Sequence, residues 1–288
     1  MKVRFLNLSI NNKIDKNKYI KLFEKFLSNG TFVLGKEVEN LEKKISRYIG
    51  QKYTIGVSSG TNALYLALKS LNIQSDDEVI VPCLSWYSTF TAVTMAGAKP
   101  VGADIGEDYL IDFNDIKKKV TKKTKAIIVV HFTGLVQNMD LISNFCKKKR
   151  IFLIEDCAQA FGAIYNNKKA GSFGDLAAFS MNPMKVLGAF GDAGAVSTSD
   201  YEIYQKLKIL RYAGVDMRKD ECFYPDLNHK LDTLQALIIN NKLKTLSQVI
   251  EKRIKNASYY NINLSDKFKK PIFYNNFQNV YYTYSIRC

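Results

Sequence analysis

Short apolar runs recur along this chain, each separated from the next by a stretch with helical periodicity, and that alternation restricts the fold more than any other feature. The runs Tyr53 to Val57 and Glu78 to Pro82 flank Ala63 to Leu71, where Ala63, Leu64, Ala67, Leu68 and Leu71 share one helical face. Strands buried on both faces read as continuous apolar segments, so the pattern predicts an α/β fold with a mostly parallel sheet and helices on both faces. Further strands are expected at Pro100 to Asp104, Ala126 to His131, Phe152 to Asp156, Ala177 to Met181 and Ala195 to Thr198. Helices are expected at Thr89 to Ala96, Leu141 to Lys149 and Tyr201 to Tyr212. After Asp232 the apolar positions Leu234, Leu237, Ile238, Leu243 and Leu246 recur at helical spacing and predict one long helix. That change of pattern places a boundary near residue 230, between a large domain over 1–230 and a smaller C-terminal one over 231–288.

With 288 residues, 47% of them hydrophobic, the chain can bury a substantial core. No apolar stretch approaches the roughly 20 residues that a membrane span needs, and the opening MKVRFLNLSINNK lacks a continuous apolar segment. Neither membrane insertion nor secretion is expected. The five cysteines, Cys83, Cys146, Cys157, Cys222 and Cys288, show no metal-ligand or disulfide spacing and fit a reducing cytoplasm. The net charge of +15 raises the question of nucleic acid. Its lysine runs, Lys117 to Lys119, Lys122 with Lys123, and Lys147 to Arg150, read instead as solvated helix ends. Aromatics do not alternate with them, so no base-stacking platform is present and no nucleic-acid partner is expected. The charge can still speed encounter with an anionic substrate.

Three segments carry chemistry. Ser58-Ser59-Gly60-Thr61 lies between a buried strand and a helix, where free amides, the positive dipole end and hydroxyls suit a phosphate, or where a serine simply caps the helix. Phe152 to Ala160 is an apolar strand ending in acids at the edge where open α/β sheets bind ligands. Asp156 there either caps the next segment or holds a ring nitrogen protonated. The third segment, Gly174 to Gly188, followed by Gly191-Asp192-Ala193-Gly194, isolates Lys185 in a mostly apolar, glycine-flanked loop. Desolvation of that lysine would favour the neutral amine that attacks an aldehyde, while a lysine reaching into solvent is the alternative.

Taken in order, these segments resemble the DegT/DnrJ/EryC1/StrS family of sugar aminotransferases that depend on pyridoxal 5'-phosphate (PLP) and have the type I aspartate aminotransferase fold. The match runs from Thr31-Phe32-Val33-Leu34-Gly35 through Gly56 to Leu64, Asp77 to Pro82 and Ala96 to Val101. It continues through Glu155 to Ala160, Phe179-Ser180 with Lys185, Gly191 to Ala195 and Leu231 to Ala236, and so covers nearly the whole chain.

By position, the resemblance implies that Lys185 binds the cofactor covalently and moves the proton between substrate and cofactor. It makes Asp156 the partner of the pyridine nitrogen, Gln159 the residue packed beside the ring, and Gly60, Thr61 and Ser180 the phosphate cradle. Trp86 falls where an aromatic lies over the ring, and Asn228 where an asparagine reaches the phosphate of the neighbouring subunit, which implies a homodimer with shared sites. The implied partners are an amino-acid donor, glutamate in this family, and a nucleotide-linked keto-sugar; no metal is implied.

The chain departs from the family's pattern in places. Lys230 stands where the family usually has an arginine and lacks the planar fork. Met181-Asn182-Pro183-Met184 is less aromatic than usual. Tyr282 to Cys288 resembles a strand inside the family's C-terminal domain, so a truncated small domain with reduced stability is the expectation. A sugar dehydratase on the same scaffold would carry histidine in place of Lys185, and a catalytically inactive binding or regulatory member is a third reading. Of the two histidines, His131 either lines the site or is a hydrogen-bonded structural residue, and His229 receives no role.

Overall fold

A computed structural model describes residues 6–287; Cys288, one of the five cysteines noted above, lies outside the described residues. The chain opens with helices α1 (Lys13–Asn29) and α2 (Gly35–Ile49), then alternates β1 (Tyr53–Val57), α3 (Gly60–Ser70), β2 (Glu78–Pro82), α4 (Ser88–Met95), β3 (Lys99–Ala103) and α5 (Phe113–Lys119). It continues with β4 (Thr124–Val130), α6 (Met139–Lys149), β5 (Phe152–Asp156), a short hairpin of β6 (Ile164–Tyr165) and β7 (Lys168–Lys169), β8 (Leu176–Ser180), β9 (Gly194–Thr198) and α7 (Tyr201–Arg211). A second hairpin, β10 (Val215–Asp216) with β11 (Glu221–Cys222), precedes α8 (Thr233–Lys242), α9 (Leu246–Asn263) and β12 (Phe277–Gln278).

Seven strands form one sheet in the order β1-β9-β8-β5-β4-β2-β3. The pairs among β3, β2, β4, β5 and β8 are parallel, and β9 runs antiparallel to both β8 and β1. The alternation in the sequence therefore reads correctly as a mostly parallel sheet. The pleat divides each strand's apolar side chains between two clusters. Ile127, Val129, Leu153, Ala177 and Phe179 enter one, and Ala126, Ile128, Ile154, Leu176 and Ala178 the other. Phe179 has no exposed surface, and burial of a side chain of that size contributes about 2–3 kcal/mol.

Several helix starts are set by capping side chains. Asn12 accepts from the Ile14 and Asp15 amides, Ser59 from Asn62, Asp112 from Asn114 and Asp115, and Asp200 from Glu202 and Ile203. The lysines 117–119 occupy the last turn of α5, as their spacing predicts, where they complement the helix dipole. The single long helix expected after Asp232 is two: a 3-10 turn at Leu243–Thr245 separates α8 from α9. The apolar period continues across the turn, with Leu246 buried beyond it, which is why the sequence reads as unbroken. Among the described residues, Cys83, Cys146, Cys157 and Cys222 are free thiols, and no helix is long and apolar enough to cross a membrane.

Candidate active site

Strand register brings the chemistry-bearing segments to one edge of the sheet. Val57 at the end of β1 and Ser180 at the end of β8 both pair with Gly194, while Asp156 at the end of β5 pairs with Ala178 and with Val130. The C-terminal ends of β1, β4, β5 and β8 therefore converge, as expected of a ligand-binding edge in an open α/β sheet. A cavity of about 310 Å³ opens there, lined by Gly60, Thr61, Trp86, Asp156, Gln159, Ser180 and Lys185 among others. Every proposed site residue except Asn228 meets in it. Asn228 is exposed and does not line the cavity; it is paired through its backbone with Tyr212 and accepts the Lys230 amide at 3.1 Å.

The start of α3 forms one wall. Ser59 Oγ accepts the Asn62 amide at 3.1 Å, and the first-turn amides of Gly60 and Thr61 have no acceptor within the helix. Both readings of this serine segment thus hold: it caps the helix and leaves donors for an anion. Gly60 lies so close to β8 that a Cβ added to it would stand 2.5 Å from Ser180 Cβ, so a side chain at 60 would fill the cradle. Thr61 Oγ1 donates to Ser88 Oγ at 2.9 Å.

Asp156 forms the floor. Its side chain is buried; Oδ1 accepts the Ala158 amide at 3.0 Å, so it also caps the following turn, and Oδ2 accepts only a long 3.3 Å bond from Thr89 Oγ1. Burial pushes its carboxyl above the ordinary carboxylate range, opposed in part by the Ala158 amide, the positive charge of Lys185 and the Thr89 hydroxyl. A buried carboxylate short of donors and open to a cavity is matched by a cationic N–H such as that of a protonated pyridine ring.

Lys185 sits in the loop that follows β8. That loop is closed by Met181 N donating to Ala193 O at 2.7 Å and Ala189 N to Met181 O at 2.8 Å, and Val186, Leu187 and Ala189 anchor it in the core. Lys185 is half-buried, and its Nζ lies 4.7 Å from the ring centroid of Tyr282. Gln159 is fixed by its Oε1, which accepts the Thr133 amide at 2.8 Å. Trp86 stands at the rim, 64% exposed, its ring 4.7 Å from that of Tyr87.

His131 is structural. Its Nδ1 accepts the Gln137 amide at 3.1 Å, so the proton is assigned to Nε2, which donates to Glu155 Oε2 at 2.9 Å. Glu155 also accepts from the amides of Gly171, Phe173 and Gly174, so its oxygens are fully used. In the cluster of His131, Glu155 and Cys157, hydrogen bonds account for His131 and Glu155 and leave no lone pair of Glu155 for a metal. His229 is buried, with Nε2 3.3 Å from Asp226 Oδ1.

Thr89 and Tyr282 are cavity residues that the sequence reading missed. Ser85 to Thr89 is hydroxyl-rich between a strand and a helix, the same signal that drew attention to Ser58 to Thr61, and could have been found by it. Tyr282 carries no local signal.

A sequence profile of the DegT/DnrJ/EryC1/StrS aminotransferase family matches residues 13–288. The chain belongs to this family. A member from Micromonospora megalomicea subsp. nigra, named dTDP-3-amino-3,4,6-trideoxy-alpha-D-glucose transaminase, is 38% identical over 274 residues, which cover 92% of this chain and 72% of the relative. The crystal structure of S. venezuelae DesV in complex with a ketimine intermediate superposes with a TM-score of 0.94 at 32% identity, covering 99% of this chain and 77% of DesV. That of Bacillus subtilis ntda with bound cofactor PMP gives 0.91 at 30% identity, covering 99% and 66%. The family fold is the type I aspartate aminotransferase-like α/β fold, and its chemistry is PLP-dependent aminotransfer to sugars. The cavity fits that cofactor: a cradle of α3 amides closed by Ser180, a lysine, and an under-satisfied buried carboxylate face one volume.

Proposed function

We propose that this chain transfers an amino group from glutamate to a nucleotide-linked keto-sugar, using Lys185 as the proton-moving amine and Asp156 as the anchor of the cofactor ring. The observation that carries this is the convergence of Lys185 and buried Asp156 on one cavity. PLP supplies an aldehyde for amine exchange and, with its ring nitrogen protonated, a sink for the electron pair left when a substrate C–H bond breaks. Asp156 accepts the hydrogen bond from that nitrogen and keeps the proton on it. Gly60, Thr61 and Ser180 hold the phosphate through backbone amides and hydroxyls. Gln159 and Trp86 would flank the ring, and the core-anchored loop would hold Lys185 Nζ to take a proton from the donor carbon and return one to the acceptor carbon. A lysine at 185 favours transamination over the dehydratase reading.

In the same reading, the active unit is a cytoplasmic homodimer in which Asn228 of each chain completes the site of the other. Residues 1–230 serve as the cofactor-binding unit and 231–288 as a smaller C-terminal one. The exposure of Asn228, outside the lining of its own cavity, supports a role in trans. The experiment combines glutamate with a panel of dTDP- and UDP-linked keto-sugars and reads the aminated product by mass spectrometry. Lys185→Ala and Asn228→Ala chains are then mixed. Transfer to a keto-sugar, lost in each variant and partly restored in the mixture, is expected. No amination of any member of the panel overturns the substrate reading, and no restoration overturns the shared site.

A further inference from the structure

We propose that Tyr282 is a positioning residue for Lys185, holding the lysine side chain against its ring face whenever the lysine is not bonded to the cofactor. The inference rests on the reading of Lys185 given above and extends it to a residue from the far end of the chain.

Lys185 Nζ is 4.7 Å from the Tyr282 ring centroid, within the reach of a cation–π contact, and both residues line the same cavity. The placement of Tyr282 is built from several independent contacts. Val280 N donates to Gly134 O at 3.1 Å and Thr283 N to Thr133 O at 3.4 Å, so the residues on either side of Tyr282 are pinned to the turn after β4. Arg253 Nη1, from α9, donates to the carbonyl oxygens of Tyr281 and Tyr282 at 3.1 and 3.4 Å. Gly134 has φ +101°, and a Cβ there would stand 2.9 Å from Tyr282 N, so this close passage requires glycine on both counts.

The turn that receives this segment is the one whose Thr133 amide fixes Gln159 at 2.8 Å. One set of backbone contacts therefore places both a cavity-wall side chain and the aromatic face opposite the lysine. Such precision is not needed to fill space at a half-exposed position, but it is needed to return a flexible lysine to one place. When the lysine is released during turnover, its four-carbon stem has many rotamers, and a ring face restricts them near the cavity.

The test compares Tyr282→Phe and Tyr282→Leu with the parent protein stripped of cofactor. PLP capture is followed by its visible absorption and by borohydride trapping with peptide mapping of Lys185. Affinity for pyridoxamine 5'-phosphate, which forms no bond to the lysine, reports the integrity of the pocket. Leucine is expected to slow PLP capture by about fivefold, part of the rotamer freedom that the lysine regains when the ring is lost, with pyridoxamine phosphate affinity unchanged within about twofold. Phenylalanine, which keeps the ring face, is expected to capture at the parent rate. Leucine capturing as fast as tyrosine, phenylalanine as slow as leucine, or equal loss of both ligands in the leucine variant overturns the proposal. Failure of the parent protein itself to trap PLP on Lys185 would instead refute the reading beneath it.

Discussion

Glu155 and Asp156 are consecutive on β5, and the pleat sends them to different tasks: Glu155 is saturated by His131 and three amides of the 171–174 turn, while Asp156 faces the cavity with Oδ2 barely satisfied. Both are buried. The first organises the structure behind the site, and the second is left available for a ligand.

Glu155→Gln replaces an acceptor oxygen with an NH2 group that faces another donor. Breaking a buried charged network of this kind costs about 3 kcal/mol or more. At roughly 2–4 °C per kcal/mol for a domain of this size, the melting temperature of the apoprotein is expected to fall by about 6–12 °C in a calorimetric scan.

Asp156→Asn should act in the opposite direction on the empty protein. Burial raises the folded-state pKa of Asp156, so its ionisation costs stability, and that cost grows as pH rises from the ordinary carboxylate value through the raised folded one. The asparagine variant removes this slope. Thermal melts of the apoprotein across acid to neutral pH should show the variant as stable as the parent or more so near neutrality, with aminotransfer reduced by about a hundredfold or more, in the range of lost acid–base and electrostatic groups.

Thr89→Val removes the only side-chain hydroxyl that bonds Asp156 among the described residues and leaves Ser85 Oγ without its 2.7 Å partner. A hydrogen bond to a charged group contributes about 1.5–3 kcal/mol, and at 3.3 Å the lower end applies. The expected outcome is a fall in kcat/KM of about tenfold with the overall fold retained by circular dichroism.

Gly60→Ala places a methyl group against Ser180, where an ideal Cβ already approaches Ser180 Cβ to 2.5 Å. The start of α3 or the end of β8 must shift, and with it the phosphate cradle. Titration with PLP should show affinity weakened by at least about tenfold, the equivalent of about 1.4 kcal/mol.

The sheet and the parts of the site on it were legible because buried strands leave apolar runs and the chemistry sits at their ends. Ser59-Gly60-Thr61, Asp156 and Lys185 all follow such runs within a few residues. Helices α1 and α2 were not read: α1 buries only Phe26 and leaves little apolar period, whereas Val38, Leu41, Ile45 and Ile49 of α2 do recur at helical spacing and could have been found. The antiparallel direction of β9 leaves no trace in composition, because a strand flanked on both sides is apolar in either direction. Tyr282 was invisible for a different reason: its contact with Lys185 joins residues far apart in the chain and depends on the turn at 133–134 and on Arg253, none of which are near it in sequence.

The most direct test is borohydride reduction of the PLP-loaded protein followed by peptide mapping. A single phosphopyridoxyl adduct on Lys185, with no visible band and no adduct in Lys185→Ala, is the expected result. An adduct on a different lysine, or one that persists in Lys185→Ala, contradicts the assignment.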